Sequence, residues 1–229
     1  ATHLENLIKN IPDILKRPSL DIGSGRGGFL LDFARHGGSI IGLEKNDEYI
    51  KYTNNSAAQA GLRISVKSGE AEKLPFNNGE FLFINMSEVI EHIEDPNMVI
   101  SEAYRVLKKN GIVYMSAPNR FSLRDPHFHL YFVNWLPRFL SDIFLSVFGK
   151  HKDYSDNNAG RQRLKDMHYY TSLDIMKICK KNGFDVVDIR ENKIKNIIKN
   201  KLLAWLAIKV YKIARFFYFD SFHLLLTKL

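Results

Sequence analysis

The sequence predicts an α/β protein built on a doubly wound parallel sheet, and three observations lead to this fold class. Short apolar runs of strand length alternate with segments of helical periodicity over most of the chain. A glycine-rich turn joins the first apolar run to the first helical segment. The 229 residues, 45% hydrophobic and 25% charged, suit one domain with a full core. We therefore expect residues 1–229 to form a single domain.

The first predicted strand contains Asp21, and a glycine-rich turn follows it directly. The turn reads Gly23, Ser24, Gly25, Arg26, Gly27 and Gly28, and helical spacing resumes over 29–34. Glycine permits positive φ angles and lets a ligand approach the main chain closely. The N–H groups that open the next helix attract a carboxylate or a phosphate. The pattern predicts a site for an anionic ligand or for the anionic end of a ligand. A glycine turn that binds nothing is the alternative.

Two classes of ligand use such a turn, and Asp21 distinguishes them. The spacing Gly23-x-Gly25-x-x-Gly28 formally fits dinucleotide binding. A carboxylate two residues before the first glycine would face the pyrophosphate, whereas it suits a cationic amine. Glu44 ends the second predicted strand 19 residues after Gly25, and an acidic residue at such a position binds a ribose diol. Glu44 therefore indicates a nucleoside without deciding between the two classes.

Asp21-x-Gly23-x-Gly25-x-Gly27 resembles motif I of the class I S-adenosylmethionine-dependent methyltransferases. In that family the acidic residue helps to hold the methionyl end of the cofactor, so the resemblance implies S-adenosylmethionine. It also implies a Rossmann-like sheet of seven strands, mostly parallel, whose last strand is antiparallel. The cofactor-binding residues that it implies are Asp21, Gly23, Ser24, Gly25, Gly27 and Glu44.

Two further segments carry the same resemblance. Residues 68–76 are similar to the G-[DE]-A-x-x-L-P-F segment of a branch that includes quinone-biosynthesis enzymes, in which the acidic side chain and the next backbone N–H contact the adenine. Glu70 and Ala71 hold these positions, although Asp is more usual than Glu. Residues 85–96 contain a run that resembles the S-E-V-[IL]-E-H-[IV]-x-D-P signature of that branch. This segment adds Met86 and Ser87 to the expected cofactor site. The resemblance is tight over 19–120 and looser over 168–190.

Periodicity and turn residues set the bounds of the other elements. Asn46 and Asp95 can begin helices, and Gly61 and Gly183 can end them. We predict helices over 47–60, 96–107 and 171–182, and strands over 39–43, 63–67, 81–84, 112–116, 184–190 and 222–227. The unbroken apolar run at 81–84 is typical of a central strand in a parallel sheet.

Residues 120–167 form a long connection that is rich in aromatic side chains. These are Phe121, Phe128, Tyr131, Phe132, Trp135, Phe139, Phe144, Phe148 and Tyr154. A connection of this length inside a compact domain is usually functional, and it follows the carboxyl end of a strand, where open α/β sheets bind ligands. Pro137 can begin a helix there that Gly149 ends. We interpret the segment as an inserted helical lid over the substrate. A helical patch that covers the sheet edge is the alternative.

The segment after the fourth predicted strand argues against two kinds of methyl transfer. It lacks the Asn-Pro-Pro-Tyr of adenine-N6 and glutamine methylation and the Pro-Cys nucleophile of cytosine-C5 methylation. Direct in-line transfer to oxygen, nitrogen or carbon remains, and it depends mainly on positioning. A hydroxyl acceptor also needs a base. We expect His92 or His168 to be that base, with His127 and His129 as further candidates, and we expect no metal site.

Cysteine content and charge describe the environment. Cys179 is the single cysteine, so no disulfide forms within the chain, and residues 1–17 lack the pattern of a signal peptide. We therefore expect a cytoplasmic protein.

The net charge is +8, and from Arg161 onward there are 15 basic residues and 6 acidic ones. The positive charge belongs to the C-terminal part of the chain.

Residues 194–219 lie between the sixth and seventh predicted strands, where the minimal fold has a tight connection. Apolar residues recur there at helical spacing: Leu203, Leu206, Ala207, Val210, Ala214 and Phe217. The opposite side carries Lys201, Lys209, Lys212 and Arg215. We predict an amphipathic helix over 202–219 and leave two alternatives open. In the first, its apolar face packs on the domain and its basic face is solvated. In the second, which the basic charge, Trp205 and the aromatic run at 216–219 suggest, the helix lies on an anionic membrane surface. The basic residues argue against a membrane span.

Together these features predict an S-adenosylmethionine-dependent methyltransferase that acts on an oxygen of a small molecule, a sugar or a lipid-linked acceptor such as a glycolipid or a prenylated quinone. An RNA methyltransferase is the second hypothesis, motivated by the basic C-terminal part, although the lid has no basic stripe. A non-catalytic adaptor with the same fold is the third. We expect the protein in the cytoplasm, or peripherally on the inner membrane face.

Overall fold

The computed structural model describes residues 3–125, 130–137, 167–217 and 219–229, together with Leu140, Ile143 and Val147. Several predictions for the lid lie outside these residues. They concern the candidate bases His127 and His129, most of the helix from Pro137 to Gly149, and the aromatic residues Phe128, Phe139, Phe144, Phe148 and Tyr154.

The described residues contain one seven-stranded sheet with helices on both faces. The strands are β1 (Ser19–Ile22), β2 (Ile40–Glu44), β3 (Ser65–Ser68), β4 (Phe81–Ser87), β5 (Leu107–Pro118), β6 (Phe184–Asp188) and β7 (Ser221–Lys228). The helices with defined bounds are α1 (His3–Asn10), α2 (Gly28–Arg35), α3 (Asp47–Gln59), α4 (Pro96–Val106), α5 (Ser172–Lys181), α6 (Ile189–Ile197) and α7 (Lys201–Ala214). The strand order is β3-β2-β1-β4-β5-β7-β6, and β7 runs antiparallel to β5 and β6. The predicted doubly wound, mostly parallel sheet is confirmed.

Two strands differ from their predicted bounds for identifiable reasons. β5 begins before the predicted residue 112, because Leu107 already pairs with Phe81 ahead of a register shift. β6 ends at Asp188, before the predicted residue 190. The Asp188 carboxylate accepts hydrogen bonds from the N–H groups of Arg190 and Glu191, and it thereby begins α6.

The starts of α3 and α4 agree with the capping prediction. The Asn46 side chain accepts hydrogen bonds from the N–H groups of Glu48 and Tyr49. Asp95 caps α4 in the same way, with Pro96 in the first turn. Both helices therefore begin after the carboxyl end of a parallel strand, α3 after β2 and α4 after β4.

The two faces of the sheet carry separate cores. The larger core lies on the face of α4 and α5 and includes Leu20, Ile84, Met86, Val113 and Leu224. The smaller core lies on the face of α1 and α2 and includes Leu4, Leu7, Phe33, Phe83 and Tyr114. Asp21, Asn85 and Tyr114 are neighbours in register on β1, β4 and β5. Because side chains alternate along strands, these polar groups share the face of α1 and α2.

The helix predicted over 202–219 is shorter, and its polar residues turn inward. α7 ends at Ala214, and its buried residues are Ala204 and Tyr211. The Tyr211 hydroxyl donates to the Asp188 carboxylate, with oxygen distances of 2.9 and 2.8 Å. Arg215 Nη1 donates to the same carboxylate at 3.2 Å. The prediction that Arg215 lies on the solvated side is therefore wrong, because a buried acid at the end of β6 pairs with it.

The apolar side of α7 is also placed differently from the prediction. Leu203, Leu206, Val210 and Phe217, which periodicity assigns to the packed face, are exposed. Small Ala204 lies against the domain instead, together with the polar anchor at Asp188. That part of the prediction is wrong, since helical periodicity identifies a face but not its neighbour. Among the helices in the described ranges, none has the length and apolarity needed to cross a bilayer.

Candidate active site

The glycine turn between β1 and α2 combines tight packing with one open position. Gly23, Gly25 and Gly27 have φ angles of 67°, 54° and 75°, which favour glycine. A Cβ on Gly27 would lie 2.3 Å from Cγ2 of Thr53, so this glycine is required for packing. A Cβ on Gly25 would meet nothing within 4 Å. The main chain at Gly25 therefore faces open space that a ligand can enter.

Asp21 is a buried carboxylate beside this turn. Its side chain is 2% exposed, and Asn85 Nδ2 donates to its Oδ1 at 2.6 Å. The pKa of Asp21 is raised to about 7, mainly by burial; the hydrogen bond from Asn85 opposes this shift, and nearby Glu44 adds to it. The Ser87 hydroxyl donates to Asn85 Oδ1 at 2.9 Å and so holds the amide that links β4 to Asp21 on β1. A bound cation would favour the ionised form of Asp21.

Glu44 at the end of β2 holds the turn in place. Its Oε2 accepts a hydrogen bond from Gly25 N at 2.8 Å, and its Oε1 accepts from Lys45 N and Asn46 N at 3.0 and 2.9 Å. A carboxylate has about four lone-pair positions, so at least one stays available to a ligand hydroxyl. The structure thus brings Asp21, Gly25 and Glu44 together at one edge of the sheet.

The remaining predicted cofactor residues surround this edge with different exposures. Gly69 N donates to Glu44 O at 3.1 Å, which places the loop containing exposed Glu70 and half-buried Ala71 beside β2. Ser24 is buried, and Ser87 is half-buried. Met86 is fully buried in the larger core, so a contact with a ligand would use its backbone.

His92 and His168 lie close to each other around Glu91. The backbone N–H of His168 donates to Glu91 O, and His92 Nε2 is 3.9 Å from Glu91 Oε1. The Glu91 side chain is buried. The ring of His168 stacks on Tyr170 with a centroid distance of 6.5 Å. Within the described ranges, no three His, Cys, Asp or Glu residues are grouped to hold a metal ion.

Glu88 adopts an uncommon backbone conformation between β4 and the histidines. Its φ is 55°, and its N–H donates to Ser116 O at 3.0 Å. The Ser116 hydroxyl donates to Glu88 Oε1 at 3.0 Å. Strained residues of this kind cluster at functional sites. The strain therefore marks the end of β4 and β5 as a candidate part of the site.

The described lid residues are tied to the domain by polar contacts. Tyr169 donates its hydroxyl proton to Asp125 Oδ2 at 2.7 Å and so joins the lid to the domain. Within the lid, Trp135 Nε1 donates to Ser122 O at 3.0 Å. The Trp135 ring lies 5.7 Å from that of Phe217, just beyond α7. The first part of the predicted lid and the end of the α7 segment therefore form one aromatic surface.

Sequence reasoning missed several polar residues on the α1 face. These are Asn85, Tyr114, Ser116, Ser221 and His223. Each interrupts a mainly apolar strand, and that interruption is the signal by which they could have been found. The strand order was also needed, because it brings β7 beside β5.

Comparison with known proteins identifies the class. Residues 20–115 match a family described as a methyltransferase domain. A ubiquinone biosynthesis O-methyltransferase of Pelagibacter ubique is 28% identical over 189 residues, 79% of this chain and 74% of the relative. One from Parvibaculum lavamentivorans is 32% identical over 161 residues, 68% and 63% respectively. Other relatives of that name are covered over 41–49% of their length.

A solved structure has the same fold over nearly the whole chain. The S-adenosylmethionine-dependent methyltransferase of Mesorhizobium loti has a TM-score of 0.64 at 14% identity, and the match covers 99% of this chain and 97% of that one. These similarities show an S-adenosylmethionine-dependent methyltransferase domain over residues 20–115, and they indicate S-adenosylmethionine as the cofactor.

The turn fits this cofactor chemically. Open space beside Gly25 leaves room for a ligand, and buried Asp21 suits a cation, which this cofactor carries at its amine and sulfonium. The cofactor supplies an activated methyl group. The protein residues have to position that group and, for a hydroxyl acceptor, remove a proton.

Proposed function

We propose that the protein methylates a hydroxyl oxygen of a lipid-linked acceptor, such as a prenylated quinone precursor or a glycolipid, at an anionic membrane surface. The name of the relatives, ubiquinone biosynthesis O-methyltransferase, supports oxygen as the acceptor atom. The observation that carries the lipid-linked acceptor is the exposed apolar side of α7. His92 and His168 are the candidate bases that the sequence offers for this reaction.

The proposal assigns the cofactor contacts to the residues predicted from the sequence. Asp21 and the turn at Gly23, Ser24, Gly25 and Gly27 hold the methionyl end. Glu44 accepts from the ribose diol with its remaining lone pairs. Glu70 and the Ala71 N–H face the adenine, and Met86 and Ser87 line the end of β4.

The exposed side of α7 has the composition of a membrane-facing helix. Its exposed apolar residues are Leu202, Leu203, Trp205, Leu206, Val210 and Ile213. Val210 is 66% exposed and Ile213 is 70% exposed, values that do not fit a packed face. Exposed Lys201, Lys209 and Lys212 flank them, and Lys209 Nζ lies 3.8 Å over the Trp205 ring. Apolar and basic side chains together favour an anionic bilayer surface.

The position of this surface connects it with the acceptor site. Phe217 follows α7 and contacts Trp135, whose ring lies 5.7 Å from that of Phe132. All three side chains are exposed. The apolar surface of α7 therefore continues into the described lid residues. An acceptor held in a bilayer would reach the lid without crossing water.

The membrane contact is tested with vesicles. We expect the protein to co-sediment with anionic vesicles, less with neutral ones, and less at high salt, because ions screen the attraction. The double variant Leu206→Ser, Val210→Ser should lose sedimentation while it still binds S-adenosylmethionine in isothermal titration. If the wild-type protein bound neither vesicle type, the lipid-linked acceptor would be ruled out in favour of a soluble small molecule.

Methyl transfer itself is tested with a farnesylated catechol in vesicles and with catechol in solution. We expect faster transfer to the farnesylated compound, and faster still with anionic vesicles. Transfer to RNA in the same assay would replace the proposal with RNA methylation. Cofactor binding without transfer to any of these acceptors would favour an adaptor.

A further inference from the structure

A polar cluster lies at the carboxyl edge of β5, on the α1 face of the sheet. Because β7 is antiparallel, its first residues lie beside the last residues of β5, so that His223 is opposite Ser116 and Ser221 is opposite Pro118. Open α/β sheets bind ligands at this edge. The Ser116 hydroxyl also contacts the Glu88 carboxylate at the end of β4. The cluster therefore lies beside the strand end that carries the methyltransferase signature.

Hydrogen bonds fix the His223 ring at both of its nitrogen atoms. The Tyr114 hydroxyl oxygen is 2.6 Å from Nδ1, and Ser221 Oγ is 3.1 Å from Nε2. Tyr114 is buried, whereas His223 and Ser221 are half-buried. Nδ1 therefore faces a buried group, whereas Nε2 faces the half-buried Ser221. An imidazole held in this way can exchange a proton at a defined position.

The cluster is connected to the cofactor carboxylate through α1. The His3 ring lies 4.7 Å from the Tyr114 ring, and His3 Nε2 is 3.4 Å from Asn85 Oδ1. Asn85 in turn donates to Asp21. A row of polar side chains therefore runs from the glycine turn to β7 under a single helix.

We propose that Tyr114, Ser221 and His223 form the binding site of the acceptor hydroxyl and that His223 takes its proton. The inference rests on the proposed O-methylation. The acceptor oxygen gains the methyl group and loses its proton, which passes to Nε2 of His223 and then to water. The sulfonium charge disappears as the bond to the methyl carbon breaks and its electron pair stays on sulfur. The chemical class of the acceptor is therefore a hydroxyl, as in a phenol or a sugar.

The surroundings keep the imidazole neutral before the reaction. The pKa of His223 is lowered to about 4, mainly by burial; Arg190 of α6 and His3 of α1 contribute to this shift, and Asp188 of β6 opposes it. Burial also raises the pKa of Tyr114 to about 12, so its hydroxyl stays protonated. A methylated oxygen that still carries its proton is a very strong acid. A weakly basic imidazole is therefore sufficient to accept that proton.

The test compares His223→Gln with His92→Gln and His168→Gln, and uses His36→Gln on the exposed end of α2 as a matched control. With farnesylated catechol, we expect His223→Gln to lower turnover at least about tenfold, since general-base effects are typically 100-fold or more. The affinity for S-adenosylhomocysteine should be unchanged in all four variants. His36→Gln should keep wild-type turnover.

Two measurements address the site without turnover. In the complex with S-adenosylhomocysteine, addition of catechol should shift the imidazole ¹⁵N resonances of His223 and leave those of His36 unchanged. Tyr114→Phe and Ser221→Ala should each weaken catechol binding in isothermal titration and retain S-adenosylhomocysteine affinity.

Several results would overturn the inference. Wild-type turnover in His223→Gln would do so, as would a weaker S-adenosylhomocysteine affinity in that variant, which indicates a structural role. A wild-type complex that binds neither catechol nor its farnesylated form also contradicts a hydroxyl site. Failure of the proposed function is distinct from these results, because it would appear as methyl transfer to a different acceptor class, with the cofactor bound normally.

Discussion

Two buried aspartates, one in each half of the sheet, have different partners and therefore different roles. Asp21 on β1 receives a hydrogen bond from the Asn85 amide, and its pKa is raised to about 7. Asp188 on β6 pairs with the Arg215 guanidinium and the Tyr211 hydroxyl. The first carboxylate has a neutral partner, which leaves its charge for a cationic ligand. The second is neutralised within the protein and anchors a helix.

A difference in the kind of contact also distinguishes the two halves of the proposed site, the cofactor half at β1 and β2 and the acceptor half at β5 and β7. The proposed cofactor half uses backbone groups at neighbouring strand ends, as when Gly25 N and Asn46 N bind the Glu44 carboxylate. The proposed acceptor half uses side chains that are far apart in sequence, as with Tyr114 and His223. A fold can therefore preserve one cofactor and vary its acceptor, because the two sets of contacts depend on different elements.

The largest expected effect comes from breaking the ion pair between Arg215 and Asp188 that anchors α7. Arg215→Met leaves Asp188 buried without its cation, and we expect the free energy of unfolding to fall by about 3–5 kcal/mol, as for other broken buried ion pairs. Urea denaturation measures this change. Lys212→Met, on the same helix, removes an exposed contact to Glu191 of 3.7 Å and should change stability by less than about 1 kcal/mol. Equal losses in both variants would contradict the anchoring role.

The second prediction concerns how the charge of Asp21 affects the stability of the empty protein, as distinct from its binding of the cofactor. Because its pKa in the native state is raised to about 7, the native protein binds a proton between pH 4 and 7 that the unfolded chain releases. Stability of the empty protein should therefore fall as pH rises through this range and then level off. Asp21→Asn should remove this decrease, since the amide carries no charge at any pH.

The same variant should stabilise the empty protein but weaken its binding of the cofactor. We expect Asp21→Asn to melt at a higher temperature than the wild type at pH 8 and to bind S-adenosylmethionine about tenfold more weakly, equivalent to roughly 1.4 kcal/mol. Thermal melts and isothermal titration measure the two effects. A lower melting temperature at pH 8 would show that burial of the charge carries no cost.

The third prediction compares two glycines with positive φ and open surroundings. Gly25→Ala and Gly37→Ala should each lower the free energy of unfolding by about 1–2 kcal/mol, the cost of a left-handed conformation for alanine. Gly37 has a φ of 83°, and a Cβ added to it would meet no atom within 4 Å, so it matches Gly25 in both respects. Only Gly25→Ala should weaken S-adenosylmethionine binding in titration. Equal affinities would place the ligand elsewhere.

The smallest expected effect concerns the exposed side of α7. Leu206→Ser should change stability by less than about 0.5 kcal/mol, because the side chain is exposed. Ala204→Leu, on the buried side, should lower it by about 1–3 kcal/mol through overpacking. Chemical denaturation of both variants compares the two sides. A large loss in Leu206→Ser would mean that this side is packed after all.

Most of the fold could be predicted from the sequence, as could the local structure around the residues proposed for cofactor binding. The glycine turn, the caps at Asn46 and Asp95, and the strand that ends at Glu44 all depend on neighbours within a few residues. Their geometry is set by local backbone conformation and by short hydrogen bonds. The order of the seven strands came from the resemblance, and the sheet confirms it.

The acceptor side and the orientation of α7 could not be predicted in this way. Periodicity showed that α7 is amphipathic, but only the packed chain places Asp188 where it draws Tyr211 and Arg215 inward. Likewise, His223 meets Tyr114 because β7 inserts antiparallel beside β5. The sequence by itself determined the residues whose partners are local. Tertiary structure decided the rest, because a buried charge or hydroxyl selects whichever partner the fold brings within hydrogen-bonding distance.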